Sequence, residues 1–171
     1  LERVGGVDSP PGGGWTLAAK PTLAGKGEIA MASIRKEILV EASPEHVWAA
    51  VRDVGAVHER LVPGVLVDGH LEGDARVVTF ANGAVVRELI VDVDDDRRRV
   101  AYAVVDSPLQ AVHQHASMQV VADGDHGSRL VWITDVVPDE LAWPVGDQMD
   151  QGAEAMVRTL AATRSGRTAR P

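Results

Sequence analysis

Six short segments with alternating apolar and polar residues follow one another through the middle of the chain. This period of two is typical of β-strands that bury one face. The turns between the segments are too short for a parallel crossover, which needs roughly a dozen residues or more. The sequence therefore predicts an antiparallel meander, with strands near 65–71, 75–81, 84–93, 98–106, 111–122 and 128–137.

The turns carry residues that favour tight chain reversal. Asn82-Gly83 is the strongest signal, because both residues tolerate the positive φ of a two-residue hairpin turn. Asp94-Asp95-Asp96, which three arginines follow, is also explained by turn chemistry, since Asp is favoured in turns. A calcium loop would need a longer ligand spacing with a glycine. We therefore interpret both stretches as hairpin turns.

Helical signals precede the meander. A strand is expected over 33–41, and after it Ser43 predicts an N-cap with Pro44 at the first helical position, where the missing N–H costs nothing. Two short helices are expected over 44–53 and 54–61.

A longer helix follows the meander, over 145–163. Its apolar residues recur at helical spacing on one face. A single sheet has one face that must be covered, and only this helix is long enough to cover it. We therefore predict an α+β fold, in which a curved antiparallel sheet of about seven strands wraps around a long C-terminal helix, with two short helices after strand 1.

The ends of the chain differ from its middle. Residues 1–30 contain Gly5-Gly6, Pro10-Pro11 and a triple glycine, and such a segment buries too little surface to offset its ordering entropy. We expect a flexible N-terminal extension over 1–30, a folded domain over 31–163 and a flexible C-terminal tail over 164–171.

The charge of the chain disfavours several classes of partner. Seventeen Lys and Arg stand against 25 Asp and Glu, which gives a formal net charge of −8 and repels phosphate backbones. We therefore expect no nucleic-acid partner. Without cysteine, disulfides and thiolate metal sites are impossible. Since no stretch approaches the ~20 apolar residues of a spanning helix and no secretory signal is visible, we expect a cytoplasmic protein without integral membrane association.

Four stretches carry a family pattern: 43–48 (SPEHVW), 73–78 (GDARVV), 82–89 (NGAVVREL) and 127–132 (GSRLVW). In order and spacing they resemble the START/polyketide cyclase-dehydrase/SRPBCC superfamily, which includes the birch-pollen-allergen-like proteins. The resemblance implies the helix-grip fold with a central ligand cavity. It does not imply one reaction, because this fold hosts transporters, receptors and enzymes. It also implies a tyrosine where Gln114 stands, so we expect a roomier or more polar pocket there.

Residue parity sorts the sheet into two faces, because side chains alternate along a strand. We assign the mostly apolar set to the face that meets the long helix, and apolar walls with few polar groups suit an amphipathic ligand. With two methionines of that helix, the predicted ligand-binding residues are Arg76, Val78, Phe80, Glu88, Tyr102, Val104, Gln114, Ala116, Trp132, Thr134, Met149 and Met156.

Arg76, Glu88 and Tyr102 are also the candidate catalytic residues. Arg and Glu are almost never fully buried unless they are paired, so a structural ion pair and a ligand-contacting pair are both open. In an enzyme, Arg76 would polarise a carbonyl while Glu88 or Tyr102 exchanged a proton.

Other polar or aromatic residues are weaker candidates for metal binding, proton transfer or gating of the cavity. His113 and His115 share one strand face and could bind a metal, but parity places them on the solvent side, so we predict no metal site. His58-Glu59 could shuttle protons near the cavity mouth, although a surface histidine is the commoner case. Trp143, at the entrance to the long helix, is the best candidate for a gate residue.

Three functions stay open. We favour binding or transport of a small hydrophobic or amphipathic molecule, such as a lipid, a polyketide or an aromatic metabolite, because no recognisable catalytic set or cofactor motif is present. The alternative is a polyketide cyclase/dehydrase-type enzyme. A structural protein with a filled cavity is the third, and the small residues Ala81, Ala103 and Ala116 argue against it. We expect a monomer or homodimer without a cofactor.

Overall fold

The computed structural model describes residues 30–165. The strands of this part are β1 Ala32–Val40, β2 Leu66–Glu72, β3 Ala75–Phe80, β4 Val85–Asp94, β5 Arg99–Asp106, β6 His113–Asp123 and β7 Gly127–Val137. The helices are α1 Pro44–Val51, α2 Val57–Arg60 and α3 Ala142–Ser165, and a short 3-10 turn at Asp139–Leu141 leads into α3.

The strands form one antiparallel sheet in the order β1-β7-β6-β5-β4-β3-β2. From β2 to β7 each strand pairs with the next one along the chain, so the predicted meander is confirmed. β1 pairs with β7 and completes the sheet. Because β1 and β2 are consecutive in sequence but lie at opposite edges, α1 and α2 carry the chain from one edge to the other.

Irregular pairing bends the sheet. The register of β4 and β5 shifts between Arg87 and Glu88, and again between Ile90 and Asp92. A further shift lies between β2 and β3. Extra residues of this kind raise the local twist and bend the strand. The sheet therefore has a concave face, and α3 lies across it.

The concave face carries the apolar residues that parity predicts. Met118 and Val120 of β6 and Leu130 of β7 are buried. Met156 and Leu160 of α3 belong to the same apolar cluster. The period of two in the strands and the helical stripe of α3 thus meet in one core.

α1 closes one end of this core. It begins where its capping residue predicts, since Ser43 Oγ accepts the backbone N–H of His46 at 3.3 Å. Trp48 of α1 is buried, and its Nε1 donates to Asp95 Oδ1 at 2.9 Å. The acidic β4–β5 turn therefore also anchors this helix.

The helix boundaries differ from the predicted ones. α2 is a single turn instead of 54–61, and Gly55, a poor helix former, lies in the part that is not helical. α3 begins at Ala142 rather than 145, because Pro144 is tolerated in the first turn of a helix. At its other end α3 continues to Ser165, two residues beyond the predicted end.

The extension predicted for 1–30 lies outside the described residues except for residue 30, and the tail predicted for 164–171 does so except for residues 164 and 165. Between residues 30 and 165, no helix combines the length and the apolar character needed to cross a membrane.

Two glycines of α3 differ in their surroundings. A Cβ atom at Gly152 would lie 3.0 Å from Cζ3 of Trp132, whereas a Cβ at Gly146 would meet no atom within 4 Å. Gly152 therefore lets the indole ring of Trp132 approach the helix backbone. Gly146 has no such neighbour.

These two glycines provide a matched test of the contact between sheet and helix. We expect Gly146→Ala to raise the free energy of unfolding by about 0.5–1 kcal/mol, because alanine is favoured over glycine in a helix. Gly152→Ala should not give this gain, and Gly152→Val should lose about 1–3 kcal/mol, because its side chain must displace Trp132. Urea titrations followed by circular dichroism measure both. Equal stabilisation by the two alanine variants would contradict the close contact.

Candidate ligand cavity

A cavity of about 240 Å³ lies between the concave face of the sheet, α3 and the short helices. Its walls are mostly apolar, with Val78, Val86 and Val104 on the sheet and Met149 and Met156 on α3. Apolar walls with a small number of polar groups are typical of small-molecule sites.

Eleven of the twelve predicted ligand-binding residues line this cavity: Arg76, Val78, Phe80, Glu88, Tyr102, Val104, Gln114, Trp132, Thr134, Met149 and Met156. Ala116 does not line it. It lies in the sheet directly between Tyr102 and Thr134, and its methyl group is too short to reach past these larger neighbours. Contact of the other residues with a ligand stays a prediction.

The sequence analysis missed the walls that lie outside the sheet. Val57 and Leu61 of the α2 region line the cavity and are buried. Their spacing of four residues is a helical signal that was available. Ser107 and Leu109 of the β5–β6 loop also line it. Their own segment has no periodic pattern, so only the folded chain shows where this loop lies.

Arg76 and Glu88 form an ion pair in the cavity wall. They lie directly opposite each other on β3 and β4, and Arg76 Nε donates to Glu88 Oε2. The two residues are 7% and 9% exposed, which confirms the predicted pairing across neighbouring strands. Burial is the largest single influence on the pKa of Arg76 and lowers it, but Glu88 and Tyr102 together outweigh burial and raise the pKa, so the guanidinium keeps its charge.

Tyr102 extends this pair into a polar cluster of four residues: Arg76, Glu88, Tyr102 and Trp132. The guanidinium carbon of Arg76 lies 4.7 Å from the centroid of the Tyr102 ring, a cation–π distance. Trp132 Nε1 donates to the Tyr102 hydroxyl at 3.2 Å. Burial raises the pKa of Tyr102 well above its usual range, and the charge of Glu88 adds to this effect. The hydroxyl therefore stays protonated at neutral pH.

His113 and His115 lie outside the cavity wall, on the face of the sheet opposite Gln114. Their rings are parallel within 5°, with centroids 6.4 Å apart. Over the described range, no three His, Asp or Glu side chains come together in a way that could hold a metal ion.

His58 and Trp143 also lie outside the wall. The His58 ring packs against Gly69, where a Cβ atom would come within 2.7 Å of its Nδ1, and its Nε2 lies 3.6 Å from Glu59 Oε1. It is therefore not placed to exchange protons with a molecule in the cavity. Trp143 is 79% exposed and does not line the cavity, so its assignment as a gate residue stays a prediction. It precedes inward-facing Val145 by two positions, which turns it to the other side of α3.

A family model for "Polyketide cyclase / dehydrase and lipid transport" matches residues 31–164. A comparison with curated proteins gave no match.

Solved structures share the fold. A Bacillus thuringiensis protein is 18% identical with a TM-score of 0.70, over 75% of this chain and 98% of its own. Norcoclaurine synthase from Thalictrum flavum, in complex with dopamine and hydroxybenzaldehyde, is 19% identical with a TM-score of 0.64, over 90% and 100%. The Zhui aromatase/cyclase from Streptomyces sp. R1128 is 18% identical with a TM-score of 0.64, over 81% and 98%. The helix-grip fold is thereby confirmed.

A double-mutant cycle tests the buried pair. Arg76→Met should lower the free energy of unfolding by about 3–5 kcal/mol, because it leaves the Glu88 carboxylate buried without its partner. The double variant R76M/E88L should recover most of this loss, since two apolar side chains replace both charges. Urea titrations of the four proteins measure the coupling. Additive losses from the two changes would show that the charges do not depend on each other.

Proposed function

The chain belongs to the polyketide cyclase/dehydrase and lipid transport family, and we propose that it binds a small hydrophobic or amphipathic molecule in the cavity between its sheet and α3. The observation that carries this proposal is the cavity itself, whose mostly apolar walls contain the polar cluster and a few neutral polar side chains such as Gln114 and Thr134. Apolar surface supplies affinity for such a ligand, and the few polar groups orient it.

The size of the cavity argues against a purely structural role. Protein interiors are otherwise close-packed, with few voids larger than a water molecule. The apolar-walled space of about 240 Å³ is much larger than such voids. A chain that needed only a stable core would gain by filling this space with larger side chains. The presence of this unfilled space therefore supports a binding role for the cavity.

The state of the polar cluster favours carriage over catalysis. Glu88 is bonded to Arg76, and burial keeps the Tyr102 hydroxyl protonated. A general base needs a pKa near the working pH and access to the substrate proton. The protonated Tyr102 hydroxyl does not meet the first condition, and Glu88 already accepts a hydrogen bond from Arg76. We therefore infer that the chain carries or sequesters its ligand, whether a lipid, a polyketide or an aromatic metabolite.

Indole, a small neutral bicyclic molecule, serves as a probe of cavity binding. We expect Val104→Trp to abolish indole binding in calorimetric titrations, because residue 104 lines the cavity and the larger side chain fills it. The matched control is Val105→Trp, one residue along β5, where the side chain is 56% exposed and points away from the cavity. This control should bind like the unchanged protein. Indole binding that survives Val104→Trp, or that the unchanged protein lacks, would count against the proposal.

Native mass spectrometry of the purified protein, followed by denaturing extraction, then identifies the class of ligand. A co-purified apolar molecule that the Val104→Trp variant lacks would support carriage. The same molecule on both proteins would place it outside the cavity.

A cyclase-type enzyme is the second candidate. One observation favours it: the Oε1 atom of Glu88 is not used in the bond to Arg76, and a neutral Tyr102 hydroxyl lies in the same wall. Glu88 could then take a proton next to a carbonyl while Tyr102 donated a hydrogen bond to the carbonyl oxygen. Among the structures with this fold is an aromatase/cyclase.

Heptane-2,6-dione tests this second candidate, because its intramolecular aldol condensation gives 3-methylcyclohex-2-enone and one water. A cyclase should accelerate this conversion, and Glu88→Gln should remove the acceleration while indole binding is retained. We expect no acceleration if the chain is a carrier. Turnover that is unchanged in Glu88→Gln would exclude Glu88 as the base. Gas chromatography of the product measures the rate.

A further inference from the structure

The charges in the cavity wall restrict the charge of the ligand. Among the described residues that line the cavity, Arg76 is the only basic side chain and Glu88 the only acidic one. They are buried and bonded to each other, so each already has its counter-charge. An anionic ligand would lose its hydration without meeting a free cation, and a cationic ligand would meet no free carboxylate. The cavity therefore favours an uncharged ligand.

The hydrogen bonds of Tyr102 restrict the chemistry of the ligand. The hydroxyl accepts a hydrogen bond from Trp132, the guanidinium of Arg76 lies over the tyrosine ring, and both of these side chains are donors only. A phenol hydroxyl has one hydrogen of its own, which neither partner can accept. No hydrogen bond joins Tyr102 to Glu88 in the described structure. Because Tyr102 is 5% exposed and buried donors require an acceptor, a ligand oxygen is the fitting partner for this hydrogen.

The volume restricts the size of the ligand. An engineered apolar cavity of ~150 Å³ holds one benzene, which has six non-hydrogen atoms. In proportion, 240 Å³ holds a molecule of about ten non-hydrogen atoms. This is the size of a bicyclic ring compound, and it is too small for a long acyl chain or a four-ring skeleton to be enclosed. Met149 and Met156 on α3 are adaptable walls that make favourable contacts with aromatic rings.

We infer that the cavity selects an uncharged, bicyclic-sized ring compound whose carbonyl-type oxygen accepts the hydrogen of the Tyr102 hydroxyl. This inference rests on the proposed binding function and narrows its ligand class. It assigns Tyr102 as the residue that orients the ligand. It assigns the ion pair between Arg76 and Glu88 as the element that excludes acids and amines.

Three probes of one ring skeleton test this assignment: indan-1-one, indane and indane-1-carboxylate. Calorimetric titrations should give the tightest binding for the ketone. Indane lacks the acceptor oxygen and should bind about tenfold more weakly, the equivalent of one hydrogen bond. The carboxylate should bind at least tenfold more weakly than the ketone, because its charge finds no free cation.

The variant Tyr102→Phe separates orientation from cavity shape, since it removes only the hydroxyl. It should weaken binding of indan-1-one about tenfold and leave binding of indane unchanged, so that the preference for the ketone disappears. Circular dichroism in the buffer of the binding titration confirms that the variant is folded, and a urea titration measures its stability. A readout that compares two probes on the same variant is insensitive to a general loss of stability.

The outcomes distinguish this inference from the function on which it rests. If the carboxylate binds as tightly as the ketone, or if Tyr102→Phe keeps the preference for the ketone over indane, the inference fails while cavity binding stands. If none of the three probes binds and indole also fails, the proposed binding function fails, and the inference fails with it. The expected order of affinities, together with its loss in Tyr102→Phe, supports both.

Discussion

Burial of the concave sheet face under α3 is the constraint on which the rest of the structure depends. A sheet with one apolar face must cover it, and α3 does so. The helix packs most closely on β1 at one edge of the sheet. The register shifts of β4 and β5 bend the middle strands, and their side chains stand opposite α3 across an open space. The cavity is the space left between α3 and these bent strands.

The polar cluster fits into this space without leaving a net charge. The charges of Arg76 and Glu88 neutralise each other across neighbouring strands. Beside them, Trp132 donates a hydrogen bond to Tyr102. Trp132 reaches this position because Gly152 on α3 presents no side chain against its ring. Packing of the helix and chemistry of the cavity are therefore coupled through one aromatic side chain. What remains available to a ligand is apolar surface, the hydroxyl hydrogen of Tyr102 and neutral polar side chains such as Gln114 and Thr134.

Much of the fold could be predicted because its determinants are local. Short turns such as Asn82-Gly83 exclude parallel crossovers, and the period of two assigns each side chain to a face. For the same reason parity identified the cavity wall within the strands, including Arg76 opposite Glu88. Ala116 shows the limit of this reasoning. Parity states the direction in which a side chain points, but not whether larger neighbours extend beyond it.

The sequence by itself determined the antiparallel meander, the long covering helix and the inward-facing side of each strand, because all three follow from the spacing of residues along the chain. Only the tertiary structure decided which walls close the cavity. α2, the β5–β6 loop and α3 line the same cavity although they lie far apart in sequence. It also decided the volume of the cavity and turned Trp143 away from it, since both depend on how the curved sheet and the helix pack against each other.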